Sequence, residues 1–438
     1  MMAGAAMDRA KRRLDEYFDR DELKRFKMER SIGEGASGNA WKVSYRPYTE
    51  DQVRASIDQR PNPEPVPEVP EVQHIILKTS KVGTLFFDDQ FNKEWPGERE
   101  DLNEEEGEDF DPYNADDSIG HEKAWLRKFR FSKHVVKLIE PPMTPFNRIF
   151  PGLRRRMTRD DFMFLEYLEN GSMGDFLEKM MDWQGVARIP NRMLWRCFLC
   201  LIRACIAMAW PPTEQDAGNN TEVIESTKDV EARGIVHDDL HVGNVMFGPL
   251  INDPDEPEHH ASVPMLKMID FGRMYEREDR PGKWNQPTGV TDNIFAISIL
   301  MVNLIEGSSF SAYVMSPSTP NILDFQLHPG GATLQTTATS LLENGRFPLL
   351  DPLLRGYVCA CASPHPNQRP PLANLATAAM AAIRNHDQAW YAANLPDAAG
   401  DESDDNVEWF VQNFLFSAPT MEQQAAPGGN AQNAIVLS

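Results

Sequence analysis

Two hydrophobic rhythms run along this chain and change over near residue 168. Before that point apolar residues come in short runs that suit strands: Ala40-Trp41-Lys42-Val43-Ser44-Tyr45, His74-Ile75-Ile76-Leu77-Lys78, Ser132–Ile139 and Phe162-Met163-Phe164-Leu165. Two stretches there have helical spacing instead. They are residues 8–27, through Leu14, Tyr17, Phe18, Leu23 and Phe26, and Glu122–Phe129, through Trp125, Leu126 and Phe129. After residue 168 the spacing predicts helices over Met173–Met181, Arg192–Trp210, Ile294–Ile305, Leu353–Ser363 and 372–385, with Asp292 placed to cap the third. The chain thus divides into an N-terminal helical extension (1–25), a sheet-rich domain (26–168), a mainly helical domain (169–386) and a tail (387–438), and its fold class is α+β.

The rhythm breaks in several places. Pro61, Pro63, Pro65, Pro67 and Pro70 lie among acids, so 46–73 reads as a loop inserted between strands, with no regular helix or strand. Residues 98–117 carry eleven acids and one arginine, a net charge of −10, and read as a solvated insertion. A basic turn at 145–160 contains Arg154-Arg155-Arg156, residues 211–228 form a polar insertion, and 306–347 are turn-rich without a clear assignment. The tail is acidic over 394–408, apolar over Val407–Phe416 and poor in order-promoting residues after 417, which predicts partial disorder.

Charge changes the picture by what it excludes. With 44 basic against 66 acidic residues the formal charge is −22, which argues against a nucleic-acid or anionic-membrane binder. Nearly half of that excess sits in 98–117, whose minority reading is a docking surface for a basic partner. Of the five cysteines, Cys197, Cys200 and Cys205 fall in one apolar helix and read as core side chains. A metal reading of Cys197-x-x-Cys200 lacks a second ligand pair at suitable spacing. The N-terminus lacks the apolar core of a signal peptide, and no apolar run reaches the roughly 18 residues of a membrane span. The expectation is a soluble intracellular protein, cytoplasmic or nuclear.

Candidate chemistry lies in three places. In Ser31-Ile32-Gly33-Glu34-Gly35-Ala36-Ser37-Gly38, the three glycines allow backbone amides to approach phosphate oxygens. That pattern also fits a plain hairpin or a dinucleotide loop, but a dinucleotide fold would place a helix where Ala40–Tyr45 reads as a strand. Lys78 ends a buried strand and so calls for an anionic partner, unless it is a plain surface lysine. The third place is Gly234–Phe247, where two apolar runs flank a loop holding Asp238, Asp239, His237, His241 and Asn244, with Asp270-Phe271-Gly272 downstream. A carboxylate can take a hydroxyl proton there, and a second carboxylate with an amide oxygen can hold Mg²⁺.

His237-x-Asp239-Leu240-x-x-x-Asn244 followed by Asp270-Phe271-Gly272 resembles the catalytic loop and metal motif of the protein kinase superfamily. The glycine hairpin, Lys78, the Glu122 helix, the 132–139 strand, the hinge-like Phe162–Ser172, Asp292 and Pro364–Leu372 with its Arg369-Pro370 follow in that family's order, from about Phe26 to Asn385. The resemblance implies a two-lobed protein kinase-like fold, a small antiparallel sheet lobe plus a larger, mainly helical one, using ATP and Mg²⁺. It implies Asp239 as the group that accepts or orients the substrate proton, Asn244 and Asp270 as Mg²⁺ ligands, and Lys78 on the phosphates with Glu122 as its partner. Gly33, Gly35 and Gly38 would cover the phosphates. Ala40, Ile76, Glu166, Leu168 and Met246 would line the nucleotide, Leu165 would be the gatekeeper, and Leu126, Leu138, His237 and Phe271 would form an apolar column with Asp292 beneath.

The departures matter as much. Asp238 stands where the family has an arginine that reads an activation-loop phosphate, so phosphorylation there should not be the switch. His241 replaces a lysine, so positive charge near the transferred phosphate depends on pH. Only twenty-one residues lie between Asp270 and Asp292, without Ala-Pro-Glu, and Arg369 loses its usual glutamate. His-x-Asp-Leu-His-x-Gly-Asn is also similar to the aminoglycoside and choline phosphotransferases. The expected activity is therefore phosphotransfer to an alcohol, on a protein serine or threonine or, alternatively, on a small molecule. A nucleotide-binding pseudokinase scaffold is a third reading.

Overall fold

A computed structural model describes residues 11–12, 14–15, 18–19, 21, 23–35, 38–57, 70–79, 118–142, 162–182, 188–219, 221–251, 260–277, 287–308, 322–328 and 330–416. The acidic 98–117 segment, Arg154–Arg156, most of the proline run and 417–438 lie outside them. The chain forms two compact units. The first comprises Met1–Arg130, Val136–Tyr167 and Asp270–Met274, and the second Phe131–Val135, Leu168–Ile269 and Tyr275–Ser438.

In the first unit, β1 (Phe26–Gly35), β2 (Gly38–Tyr45), β3 (Gln73–Thr79), β4 (Leu138–Ile139) and β5 (Phe162–Glu166) form, among the described residues, an antiparallel sheet in the order β1-β2-β3-β5-β4. Alternation sends Trp41, Val43, Ile75, Leu77, Phe162 and Phe164 to one face, where they form the core with Leu14 and Phe18 from the N-terminal helical turns. Phe26 stacks on Phe18 at 5.2 Å and on Phe164 at 5.4 Å between ring centroids. Phe26 thus opens β1 rather than continuing the N-terminal helix, because its side chain belongs to the sheet core.

Among the described residues, this unit also holds α1 (Glu50–Ile57) and α2 (Ser118–Lys128). The first corrects the sequence reading, which allowed no helix in 46–73. All five prolines lie beyond Ile57, and the helix start is boxed: Gln52 N–H donates to Thr49 Oγ1 at 3.3 Å while Thr49 N–H donates to Gln52 Oε1 at 2.7 Å.

The second unit is built on α4 (Asn191–Ala209), which follows α3 (Met173–Asp182) and is buried on all sides. After α5 (Glu214–Ala217) come two small antiparallel pairs, β6 (Ile235–Val236) with β9 (Tyr275–Glu276) and β7 (Val245–Phe247) with β8 (Leu266–Met268). Next is α6 (Thr288–Glu306), which starts six residues earlier than Ile294, so Asp292 is inside the helix and not its cap. At 19 residues α6 is long and apolar enough to cross a bilayer, yet 72% of its apolar stretch is buried within the fold. It packs against α4, as does α8 below.

The region without an assignment holds a hairpin, β10 (Leu323–Gln326) and β11 (Thr333–Thr336), followed by α7 (Pro352–Cys361) and α8 (Leu372–Asn385). The fold does not stop at 386. α9 (Gln388–Asn394), α10 (Asp404–Val411) and a π-helical turn over Gln412–Phe416 bury Tyr391, Phe410 and Phe414 in the second unit. Two buried acids join this segment to the helices before it. Asp351 accepts hydrogen bonds from Trp195 Nε1 and Tyr391 Oη, each at 2.9 Å, and from His386 Nδ1 at 2.8 Å. Glu402 accepts Asn191 N–H at 2.7 Å and Arg192 N–H at 3.1 Å, capping α4, whose own N-cap, Pro190, offers no side-chain acceptor.

Candidate active site

The register of the first unit fixes what surrounds Lys78. It lies opposite Ala40 on β2 and Met163 on β5, with Ile76 opposite Leu165, so all five share the sheet face away from the aromatic core. The glycine stretch is a hairpin, closed by the pair Gly35 and Gly38, and not the strand-to-helix turn of a dinucleotide loop. A Cβ added at Gly33 would meet no atom within 4 Å, so the space over it is open.

Lys78 Nζ donates to Glu122 Oε2 at 2.7 Å and to Asp270 Oδ1 at 2.8 Å. Glu122, on α2, is fully buried, and its Oε1 accepts the N–H of Phe271 at 3.4 Å. The Phe271 ring rests on Phe129 at 5.7 Å, just beyond the end of the same helix. Strand, helix and the Asp270-Phe271 dipeptide are thereby joined through one carboxylate. Burial alone would pull the ammonium's pKa down, but Glu122 and then Asp270 hold it above the ordinary lysine range. The three groups sum to one net negative charge, and Asp270, the most exposed of them, is a hard oxygen donor suited to Mg²⁺.

In the second unit the loop after β6 is held from several sides. His237 N–H donates to Asn293 Oδ1 at 3.1 Å, Asn293 Nδ2 donates to Ile235 O at 2.7 Å, and His237 Nε2 donates to Ile269 O at 3.1 Å. The residue of α6 that anchors the loop is therefore Asn293, one position after the Asp292 of the sequence reading. Asp292 instead accepts from Arg277 Nη1 at 3.1 Å and lies 3.7 Å from Arg369 Nη1. Arg369 also donates to Thr291 O and Ser363 O, so it has partners despite the missing glutamate. A helix start misplaced by six residues hides which of two adjacent polar side chains faces the loop. The close approach of α6 to this loop had a sequence signal in Gly289, where a Cβ would stand 2.2 Å from Gly234 O.

Asn244 ends a 3₁₀ turn, Val242–Asn244, and its Nδ2 donates to Asp239 O at 2.8 Å. The amide so turned presents Oδ1 as an oxygen that could hold a metal ion, and the bond fixes the backbone of Asp239. His241 caps the start of this turn. Its exposed ring folds back so that Nδ1 accepts Gly243 N–H at 3.1 Å, which places the proton of the neutral ring on Nε2. The turn needs glycine at 243, since a Cβ there would stand 2.9 Å from His241 Cε1. Asp238 and Asp270 both adopt left-handed backbone, φ 59° and 61°, at a cost of about 1–2 kcal/mol for a non-glycine residue. Strain of this kind clusters at functional loops.

Other expected positions are placed without being brought into these groups. Glu166 ends β5 with its carboxylate on Lys137 N–H at 2.7 Å, Leu168 is buried in the second unit, and Met246 is half-buried in β7 opposite Lys267. Of the expected column, Leu126 and Phe271 are buried in the first unit, where Leu138 is half-buried, and His237 is buried in the second. No family model matches the chain, and a search among curated proteins returns no match.

Proposed function

We propose that the protein is an ATP-dependent phosphotransferase with a two-lobed protein kinase-like fold, the first unit serving as the small sheet lobe and the second as the larger helical lobe. The observation that carries this reading is the convergence of Glu122 and Asp270, 44 and 192 positions from Lys78 in sequence, on its ammonium. A strand lysine locked by a helix acid, next to an acid that can hold metal, is the phosphate-binding half of that chemistry. Lys78 holds phosphate oxygens under the Gly33–Gly38 hairpin, and Ala40, Ile76 and Leu165 pack on the base. Asp270 and, through the resemblance, Asn244 are the Mg²⁺ ligands; the ion, when bound, neutralises phosphate charge. Asp239, its backbone fixed by Asn244, takes the proton of the acceptor hydroxyl as that oxygen bonds to the γ-phosphorus and ADP leaves with the electrons of the broken bond. ATP use and reduced cysteines suit an intracellular protein.

The acceptor is a protein serine or threonine on the strength of the glycine hairpin and the Arg369 element. A small-molecule alcohol is favoured by one observation: His241 and Gly243, shared with the aminoglycoside and choline phosphotransferases, act as a hydrogen-bonded unit. Transfer of labelled γ-phosphate to protein mixtures and to small-molecule alcohols, offered side by side, separates the two. Asp270→Asn should lower turnover by roughly a hundredfold or more while the circular dichroism spectrum stays unchanged. Full activity in that variant, or a wild-type protein that binds no nucleotide, would overturn the assignment, and nucleotide binding without transfer would leave a scaffold.

A further inference from the structure

A second cluster of reactive side chains lies wholly within the second unit and has no part in phosphotransfer. His134 comes from the segment ahead of Val135, Cys200 from the middle of α4 and His260 from the turn before β8. Cys200 Sγ is 3.8 Å from His260 Nε2, and one donor atom from each residue lies within 4.8 Å of the other two. All three are buried, with 0%, 1% and 6% of their surface exposed.

The rings are oriented from outside. His134 Nδ1 lies 2.5 Å from Glu225 Oε2, and the same carboxylate accepts His134 N–H through Oε1 at 2.9 Å. His260 Nδ1 lies 3.2 Å from Val263 O. A carboxylate and a carbonyl only accept, so both rings carry a proton on Nδ1 and, in their neutral forms, keep a lone pair on Nε2. The His134 Nε2 makes no hydrogen bond although its ring is fully buried. A thiol has one proton and can satisfy only one of two such lone pairs. A metal ion satisfies both and the sulfur as well.

We propose that His134, Cys200 and His260 bind one borderline or soft transition-metal ion, Zn²⁺ or Cu⁺. Donors on a single tetrahedral zinc stand roughly 3.3–3.5 Å apart, from metal–nitrogen bonds of about 2.0 Å and a metal–sulfur bond of about 2.3 Å, so the cluster closes on an ion with a contraction of up to about 1.5 Å. Carboxylate or carbonyl behind each ligating imidazole is the outer arrangement that fixes ring orientation in such sites. Two imidazoles and a thiolate exclude the hard cations Mg²⁺ and Ca²⁺. Zn²⁺ would complete a tetrahedron with water, whereas Cu⁺ is satisfied by three donors. The ion would tie the 131–135 segment and the turn before β8 to the central helix.

The test uses the full chain without a histidine tag, unfolded and refolded in chelator-treated buffer with Zn²⁺ or reduced copper, then freed of loose metal by gel filtration. Mass spectrometry of the elements should find about one equivalent of zinc or copper per chain, and the retained ion raises the melting temperature over the metal-free protein. Cys200→Ser and His260→Gln should lower metal content at least tenfold, while Cys197→Ser, on the same helix, retains it. With Co²⁺ the wild type should show a thiolate charge-transfer band that Cys200→Ser lacks. If the ligand variants fail to fold, the wild-type measurements still decide. Less than about a tenth of an equivalent of either ion with an unchanged melting temperature, or equal metal content in folded Cys200→Ser, would overturn the proposal and leave a hydrogen-bonded thiol–imidazole cluster only.

Discussion

One cluster in each unit shows a different way of keeping polar groups inside a protein. In the first, Lys78, Glu122 and Asp270 are complementary in charge and satisfy one another at 2.7 and 2.8 Å. In the second, two imidazoles converge on one sulfur, and the order comes from Glu225 and Val263 behind them. A cluster whose members bond to one another holds its shape before any ligand arrives. A cluster of converging donors is complete only with its ion, so there binding and folding are one process.

The largest effect that would break this contrast is on the ion pair. Lys78→Met leaves the fully buried Glu122 without its ammonium and should cost about 3–5 kcal/mol of stability in urea denaturation. Lys78→Met with Glu122→Gln should recover most of that loss but none of the activity. Equal stability of the single and double variants would show that the pair is not coupled.

A smaller effect concerns the preformed face around Lys78. Ala40 and Ile76 share that face on adjacent strands, two positions out of register, near enough for side chains to meet. Ala40→Val should overpack the space and weaken ATP binding by about tenfold, and Ala40→Val with Ile76→Ala should restore it. Identical affinities in the parent and both variants would mean that the two residues do not shape a common site.

The smallest is a pH effect at Asp351, a second-unit acid satisfied internally like the first cluster. Burial raises its pKa, but hydrogen bonds from His386, Trp195 and Tyr391 outweigh this and hold it below the ordinary aspartate value. The folded state then takes up the proton less readily than the unfolded one. The stabilisation is complete above about pH 4, the unfolded value, and is lost as pH falls through the lower folded one. Asp351→Asn should lower the melting temperature at neutral pH and flatten its decline below about pH 4. An acid limb as steep as the parent's would assign that decline to other groups.

What sequence could show follows the same division. Lys78 and Glu122 were legible because strand, helix and loop came in a known order, and the hairpin was legible because Ala40–Tyr45 alternates. His134, Cys200, Glu225 and His260 carry no spacing signal, since His134 and Glu225 are 91 positions apart and Cys200 and His260 are 60. The nearby Cys197 drew attention to a pattern that folding does not use. Helix α1 was hidden by the prolines that follow it. After 386, the acidic composition of 394–408 does not show that Glu402 is fully buried on the backbone of α4.

That last contact sets a timetable for the molecule. The acid that completes the first turn of the central helix lies 211 residues after Asn191, so at ordinary synthesis rates it leaves the ribosome about 10–40 s later. Through that interval the leading amides of α4 depend on water. A polypeptide stopped at residue 386 would lack that acid for good, and the start of its central helix would be less stable by about 1 kcal/mol.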